Sequence, residues 1–295
     1  MINNISVAQP QLGISKADII YEILVEGGIT RMMAIFQDVS GAGEIGSIRS
    51  SRPYFVDIAL AYDAIYIHAG GSPDAYTQLK STGITSLDGV NGKKQDIFFR
   101  DKDRQKKMGL EHSLVTTSDL IEKYLPQYGL RLVHDDGFAC GMVFADDAVP
   151  AAAAVSPTSP SPGAFTAEKV TAHFSSSKTT TFAYSTESGA YAVSQYGKAY
   201  ADGDNNENIT ADNVLVLKTN VDVIAGDDKG RIIVDTTGSG SGFYFCHGEY
   251  EELTWSRNSI TAQFNFTLKD GAPLVFARGR TYICIVDDNS DVDIE

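Results

Sequence analysis

Four of the chain's nine prolines, Pro150, Pro157, Pro160 and Pro162, fall within "DDAVPAAAAVSPTSPSPGAF", residues 146 to 165. Proline at this density feeds neither a helix interior nor a central strand, because it fixes φ and lacks an N–H donor. The run therefore reads as a linker or long exposed loop over residues 146–166. It divides the 295 residues into an N-terminal part, 1–145, and a C-terminal part, 167–295, each long enough for a core of its own.

The two parts carry different patterns. The C-terminal part is a series of short alternating runs, among them "KVTAHFS", "TTTFAYS", "NVLVLKTNVDVI", "GFYFCHG", "EELTWSR" and "TYICIVD", punctuated by Gly, Asn and Asp. That pattern predicts a β-rich domain of antiparallel strands. The N-terminal part mixes strand and helix signals. Pro53 follows Ser50 and Ser51 and opens a predicted helix, a second helix starts at Ser72-Pro73, and "TTSDLIEKYLPQYG" is a third, with Thr117 or Ser118 as its cap. The fold class is α+β: an N-terminal mixed α/β sandwich followed by a β-rich antiparallel C-terminal domain.

"ADIIYEILVE" and "ITRMMAIFQD" flank Gly27-Gly28 and predict a β-hairpin with a two-residue turn. In that register Glu26 pairs with Ile29, Leu24 with Arg31 and Glu22 with Met33. Glu22, Glu26 and Arg31 then share one face. The plain alternative is a solvent face with an exposed ion pair, worth about 0–1 kcal/mol. Arg49 and Arg52 flank the first helix start, where free backbone N–H groups and a partial positive charge favour an anion. The alternative is that they pair with Glu22, Glu26 or Asp57 and hold the fold. His68 precedes Gly70, Gly71 and Ser72, a strand, glycine turn and helix start that also suits an anion. A lone histidine at a strand end is more often a hydrogen-bonded structural residue than a catalyst. "FFRDKDRQKKMGLEHS" reads as a solvated loop, and "DGDNNEN" as a turn whose spacing fits no calcium site.

The net charge of −14 argues against nucleic acid as a partner and against a general basic patch for anionic lipid. No nucleotide, zincin or nucleophile-elbow motif is present, and no cofactor is implied. Cys140, Cys246 and Cys284 form no C-x-x-C pair, so a zinc knuckle is not expected.

Residues 3 to 76, with "AQPQLGISKADIIYEILVEGGITRMMAIFQ" and "IGSIRSSRPYFVDIALAYDAIYIHAGGSPDAY", resemble the YerB-like family of proteins described as bacterial lipoproteins. "FFRDKDR", "GLEHSL", "GSGSGFYFCHGEYEELTWSR" and "LVFARGRTYICIVD" extend the likeness through a second domain. Two positions depart from the family pattern: Val193 stands where an arginine is usual, and Ser47 where proline is common. The resemblance implies an extracytoplasmic envelope protein of Gram-positive-type bacteria, held by a lipid anchor upstream of Met1. It brings no settled activity. Three functions fit: a binder of an anionic cell-wall fragment or envelope partner, an enzyme on an anionic wall component using Glu22 or Glu26 as base and His68 as acid, and a structural module with a closed salt-bridge network. The predicted site is Glu22, Glu26, Arg31, Arg49, Arg52, His68, Gly70, Gly71 and Ser72.

Overall fold

The structure, a computed structural model, describes residues 1–145 and 165–295. Most of the proline-rich segment thus lies outside the described residues. Its predicted end is corrected: Phe165–Thr166 is a short strand paired with Glu249 and Tyr250.

The N-terminal elements are β1 (Ile2–Asn3), β2 (Ile19–Leu24), β3 (Thr30–Ile35), β4 (Glu44–Gly46), α1 (Pro53–Ala61), β5 (Tyr66–His68), α2 (Pro73–Thr82), β6 (Ser86–Asp88), β7 (Phe99–Arg100), α3 (Lys102–Met108), β8 (Leu114–Thr117), α4 (Ser118–Gln127) and β9 (Val143–Phe144). The rest are β10 (Phe165–Thr166), β11 (Lys169–Ser175), β12 (Lys178–Ser185), β13 (Ala190–Gln195), β14 (Lys198–Ala199), β15 (Thr210–Ala211), β16 (Asn213–Thr219), β17 (Val221–Val223), β18 (Ile232–Val234), β19 (Gly238–Cys246), β20 (Glu249–Arg257), β21 (Asn265–Leu268), β22 (Val275–Phe276), β23 (Thr281–Asp287) and β24 (Val292–Ile294). The fold is α+β. Helices begin where proline and hydroxyl caps mark them: Pro53 is the first residue of α1, Ser72 caps α2 through Ala75 N, and Thr117 caps α4 through Leu120 N.

One nine-stranded sheet runs β1-β3-β2-β23-β16-β19-β20-β10, with β21 also on β20. Strands from both sides of the proline-rich segment share it. β23 lies between β2 and β16 and is parallel to both, so the C-terminal strands are not uniformly antiparallel. Alternation along the strands sends side chains to opposite faces. Tyr21, Ile23, Met33, Leu215, Leu217, Ile283 and Ile285 pack on one face with Phe55, Val56 and Ile58 of α1. Ile20, Met32, Val214, Val216, Tyr282 and Cys284 pack on the other with Val170, Ala172, Phe174, Phe182 and Val193 of a second sheet, ordered β14-β13-β12-β11-β24. Helices, large sheet and small sheet therefore form three layers.

The charged run after Phe98 is not a solvated loop. Asp101 caps α3, and the buried Arg104 donates to the carbonyls of Ala8, Pro10 and His112. Cys140, Cys246 and Cys284 are free thiols.

Candidate functional site

The hairpin forms, in a register one residue away from the predicted one. Glu22 faces Met32, Ile23 faces Arg31 and Leu24 faces Thr30, with Val25 N donating to Ile29 O. The turn is three residues, Glu26–Gly28, with Gly27 and Gly28 both at positive φ. A slip of one residue moves a side chain to the other face. Arg31 accordingly leaves the Glu22 face, which corrects the expected convergence of Glu22, Glu26 and Arg31.

Glu22 is fully buried between the two sheets. Its Oε1 accepts from Asn4 Nδ2 (2.8 Å), Thr30 Oγ1 (2.6 Å) and Lys178 Nζ (2.8 Å). Its Oε2 accepts from Thr180 Oγ1 (2.8 Å) and Tyr282 OH (2.6 Å). The Lys178 ammonium also donates to Thr180 Oγ1 and lies over the Tyr196 ring. A buried charge pair persists only when it is matched and hydrogen-bonded in this way.

Glu26 serves the other group. Arg52 grips it with two N–H donors, Arg31 approaches it at 3.7 Å, and both guanidiniums also donate to backbone carbonyls, Ser51 O and Ser50 O. Two arginines thus share one carboxylate. Burial, with Arg49 nearby, lowers the Arg31 pKa to about 10.

Segments Arg49–Arg52 and Ala69–Ser72 run side by side, through Ala69 N to Arg49 O, Ser51 N to Gly70 O and Ser72 N to Ser51 O. They deliver α1 and α2 with their N-termini adjacent. A cleft opens on each side of this ridge. The first, about 400 Å³, is lined by Arg52, Tyr54, Asp57, Ser72, Asp74 and, across it, Arg231 to Thr237 of the β17–β18 hairpin. The second, about 360 Å³, is lined by Arg49, Ser50, Gly70, Gly71, Tyr76, Asn91, Arg100 and Glu111. Arg49 is bound there to Glu111 (2.9 Å), whose side chain is 72% exposed, so the pair is weakly held. Arg100 donates to Leu110 O, and burial with Arg49 nearby depresses its pKa.

His68 lies beneath the ridge, 1% exposed, stacked on Tyr66. Its Nδ1 is 2.9 Å from Gly70 O, and its Nε2 has no hydrogen-bond partner among the described residues. Burial pushes its pKa down. Burial raises the Asp88 carboxyl, but donation from Tyr76 OH, Gly70 N and Val90 N outweighs it and leaves the group below the usual carboxylate range.

The predicted residues therefore fall into five places. Arg49, Gly70 and Gly71 line the second cleft, and Arg52 and Ser72 the first. Glu26 and Arg31 support the ridge with Arg52, His68 underlies it, and Glu22 belongs to a closed cage on the opposite face of the large sheet. Lys178, Thr180 and Tyr282 were not singled out by sequence. The signal was present for Lys178, which with Thr180 and Phe182 occupies the inward phase of "KTTTFAY". Among the described residues no group of three His, Cys, Asp or Glu side chains is placed to hold a metal ion.

This architecture is a two-part α+β fold, and the family models divide the chain in the same way. Residues 1–131 match the N-terminal domain, and residues 170–283 the C-terminal domain, of the family described as "Protein of unknown function (DUF3048)". The chain belongs to that family. It is 30% identical over 292 residues to "Putative lipoprotein YerB" of Bacillus subtilis (strain 168), covering 98% of this chain and 80% of that protein. The crystal structure of the YerB protein from Bacillus subtilis matches with a TM-score of 0.78 at 27% identity, covering 99% of this chain and 91% of that one.

Proposed function

We propose that the chain is an extracytoplasmic envelope lipoprotein whose N-terminal part binds an anionic cell-wall fragment or an anionic face of an envelope partner. The likeness to a protein named as a lipoprotein supports the location. The observation that carries the binding reading is the second cleft. In a chain of net charge −14, it presents two guanidiniums, Arg49 and Arg100, against one exposed carboxylate, Glu111. At Gly70 and Gly71 the wall carries no side chain, so a carboxylate or phosphate can approach the backbone closely there. A competing anion displaces Glu111 and takes the Arg49 fork. Glu26, Arg31, Arg52, His68 and Ser72 hold the ridge that positions Arg49.

Calorimetric titration with citrate, pyrophosphate and muropeptide fragments tests this reading. At least one anion is expected to bind, and Arg49→Ala and Arg100→Ala are each expected to weaken it by about 10- to 100-fold. Binding by none of these anions, or binding that neither substitution weakens, removes the reading.

A further inference from the structure

Three side chains from separate segments meet between the sheets: Asn4 after β1, Glu22 on β2 and Lys178 at the start of β12. All three are fully or almost fully buried. Asn4 Nδ2 and Lys178 Nζ each lie 2.8 Å from the same oxygen, Glu22 Oε1. The amine and the amide are thus no more than two hydrogen-bond lengths apart, with a carboxylate between them. The second carboxylate oxygen is fixed by Thr180 and Tyr282, so Oε1 stays in place. Tyr196 OH donates to Asn4 O (2.7 Å) and pins that backbone, while the Tyr196 and Phe174 rings cover the amine. Among the described residues the side-chain carbonyl of Asn4, Oδ1, has no partner.

We infer that Asn4, Glu22 and Lys178 form a self-processing site that joins Lys178 Nζ to Asn4 Cγ in an intramolecular amide bond. The hydrogen-bonded arrangement described above is the one that precedes the bond. A proton passes from the Lys178 ammonium to Glu22 Oε1 along their 2.8 Å contact. That transfer leaves a neutral amine, the nucleophilic form. It also turns Oε1 into a donor. As a donor, Oε1 faces Asn4 Nδ2, the nitrogen that leaves, across 2.8 Å. Nζ attacks Cγ, and the C=O electron pair moves to Oδ1. When the pair returns, the Cγ–Nδ2 bond breaks. Glu22 gives its proton to the leaving nitrogen and takes one from Nζ. The products are a secondary amide and one ammonia, and no oxidant or other reactant enters.

The site is distinct from both clefts and independent of any ligand. Its effect is to tie the N-terminal segment to the small sheet covalently.

Intact mass spectrometry of the full chain, denatured, is the test. The expected mass is about 17 Da below that of the sequence, the mass of one ammonia. After trypsin, the peptide ending at Lys16 is expected to be joined to the one spanning Val170 to Lys198, uncut at Lys178. Lys178→Arg and Glu22→Gln are expected to restore the full mass, and Asn4→Asp is expected to give loss of water in place of ammonia. The wild-type chain alone decides the matter should a variant fail to fold. An unshifted mass, or an ammonia loss that maps elsewhere, overturns the inference.

Discussion

His68 is the residue whose surroundings make the most definite statement about pH. Its imidazole is buried and its pKa is lowered by that burial. Below the ordinary histidine value of about 6.5 the unfolded chain takes up a proton that the folded chain refuses. Stability is therefore expected to fall as pH drops below that value, by up to about 1.4 kcal/mol per pH unit, until the folded pKa is reached. His112, also depressed mainly by burial, acts in the same direction. Urea unfolding at neutral and mildly acidic pH checks this, with His68→Gln expected to flatten the slope. An equal slope in the variant would rule His68 out as its source. The local surroundings of His68, a strand end before two glycines, were readable from sequence. The ring that closes over it was not, because Tyr76 reaches it only once α2 has packed. Arg49 and Arg100 illustrate the same limit, since nothing in their separate stretches shows that they line one cleft.

At the scale of elements, the β2–β3 hairpin shows how a turn decides which groups meet. Gly27 and Gly28 both have positive φ, near +77° and +70°, a region that costs an L side chain about 1–2 kcal/mol. Gly27→Ala and Gly28→Ala are each expected to destabilise the fold by about that amount in chemical denaturation. Gly27→Asn is expected to be milder than Gly27→Val, because asparagine tolerates this region and a β-branched residue does not. Equal losses for Asn and Val would show that the turn is not held as described. The presence of the hairpin was legible from apolar runs around two glycines. Its register was not, because Gly-Gly suits both a two-residue and a three-residue turn. That single residue separates a shared Glu22–Arg31 face from two unrelated networks. Helix starts were easier to read, since Pro53 and the Ser72-Pro73 pair act within one turn.

For the molecule as a whole, the parallel pairing of β2 with β23 matters most. Five residues, Ile19 to Ile23, pair with Thr281 to Ile285, so the N-terminal part completes its sheet with a strand from the far end of the chain. Local patterning identified both strands and left their pairing open, because parallel partners joined across such a distance leave no periodic trace. The single Trp255 packs in the core that also contains Tyr21 and Phe55. Thermal unfolding followed by Trp255 fluorescence and by far-ultraviolet circular dichroism is therefore expected to give one coincident transition. Two separated transitions would mean that the parts melt independently in spite of their common sheet.

The position of β23 also dictates when the molecule can assemble. During synthesis the N-terminal hairpin emerges with one long edge bare, and the strand that covers it follows roughly 250 residues later, about 13–50 s at 5–20 residues per second. Over that interval the nascent hairpin is an open template for mispairing, and a chaperone or a tight hold on the elongating polypeptide is what would keep it available until its neighbour arrives.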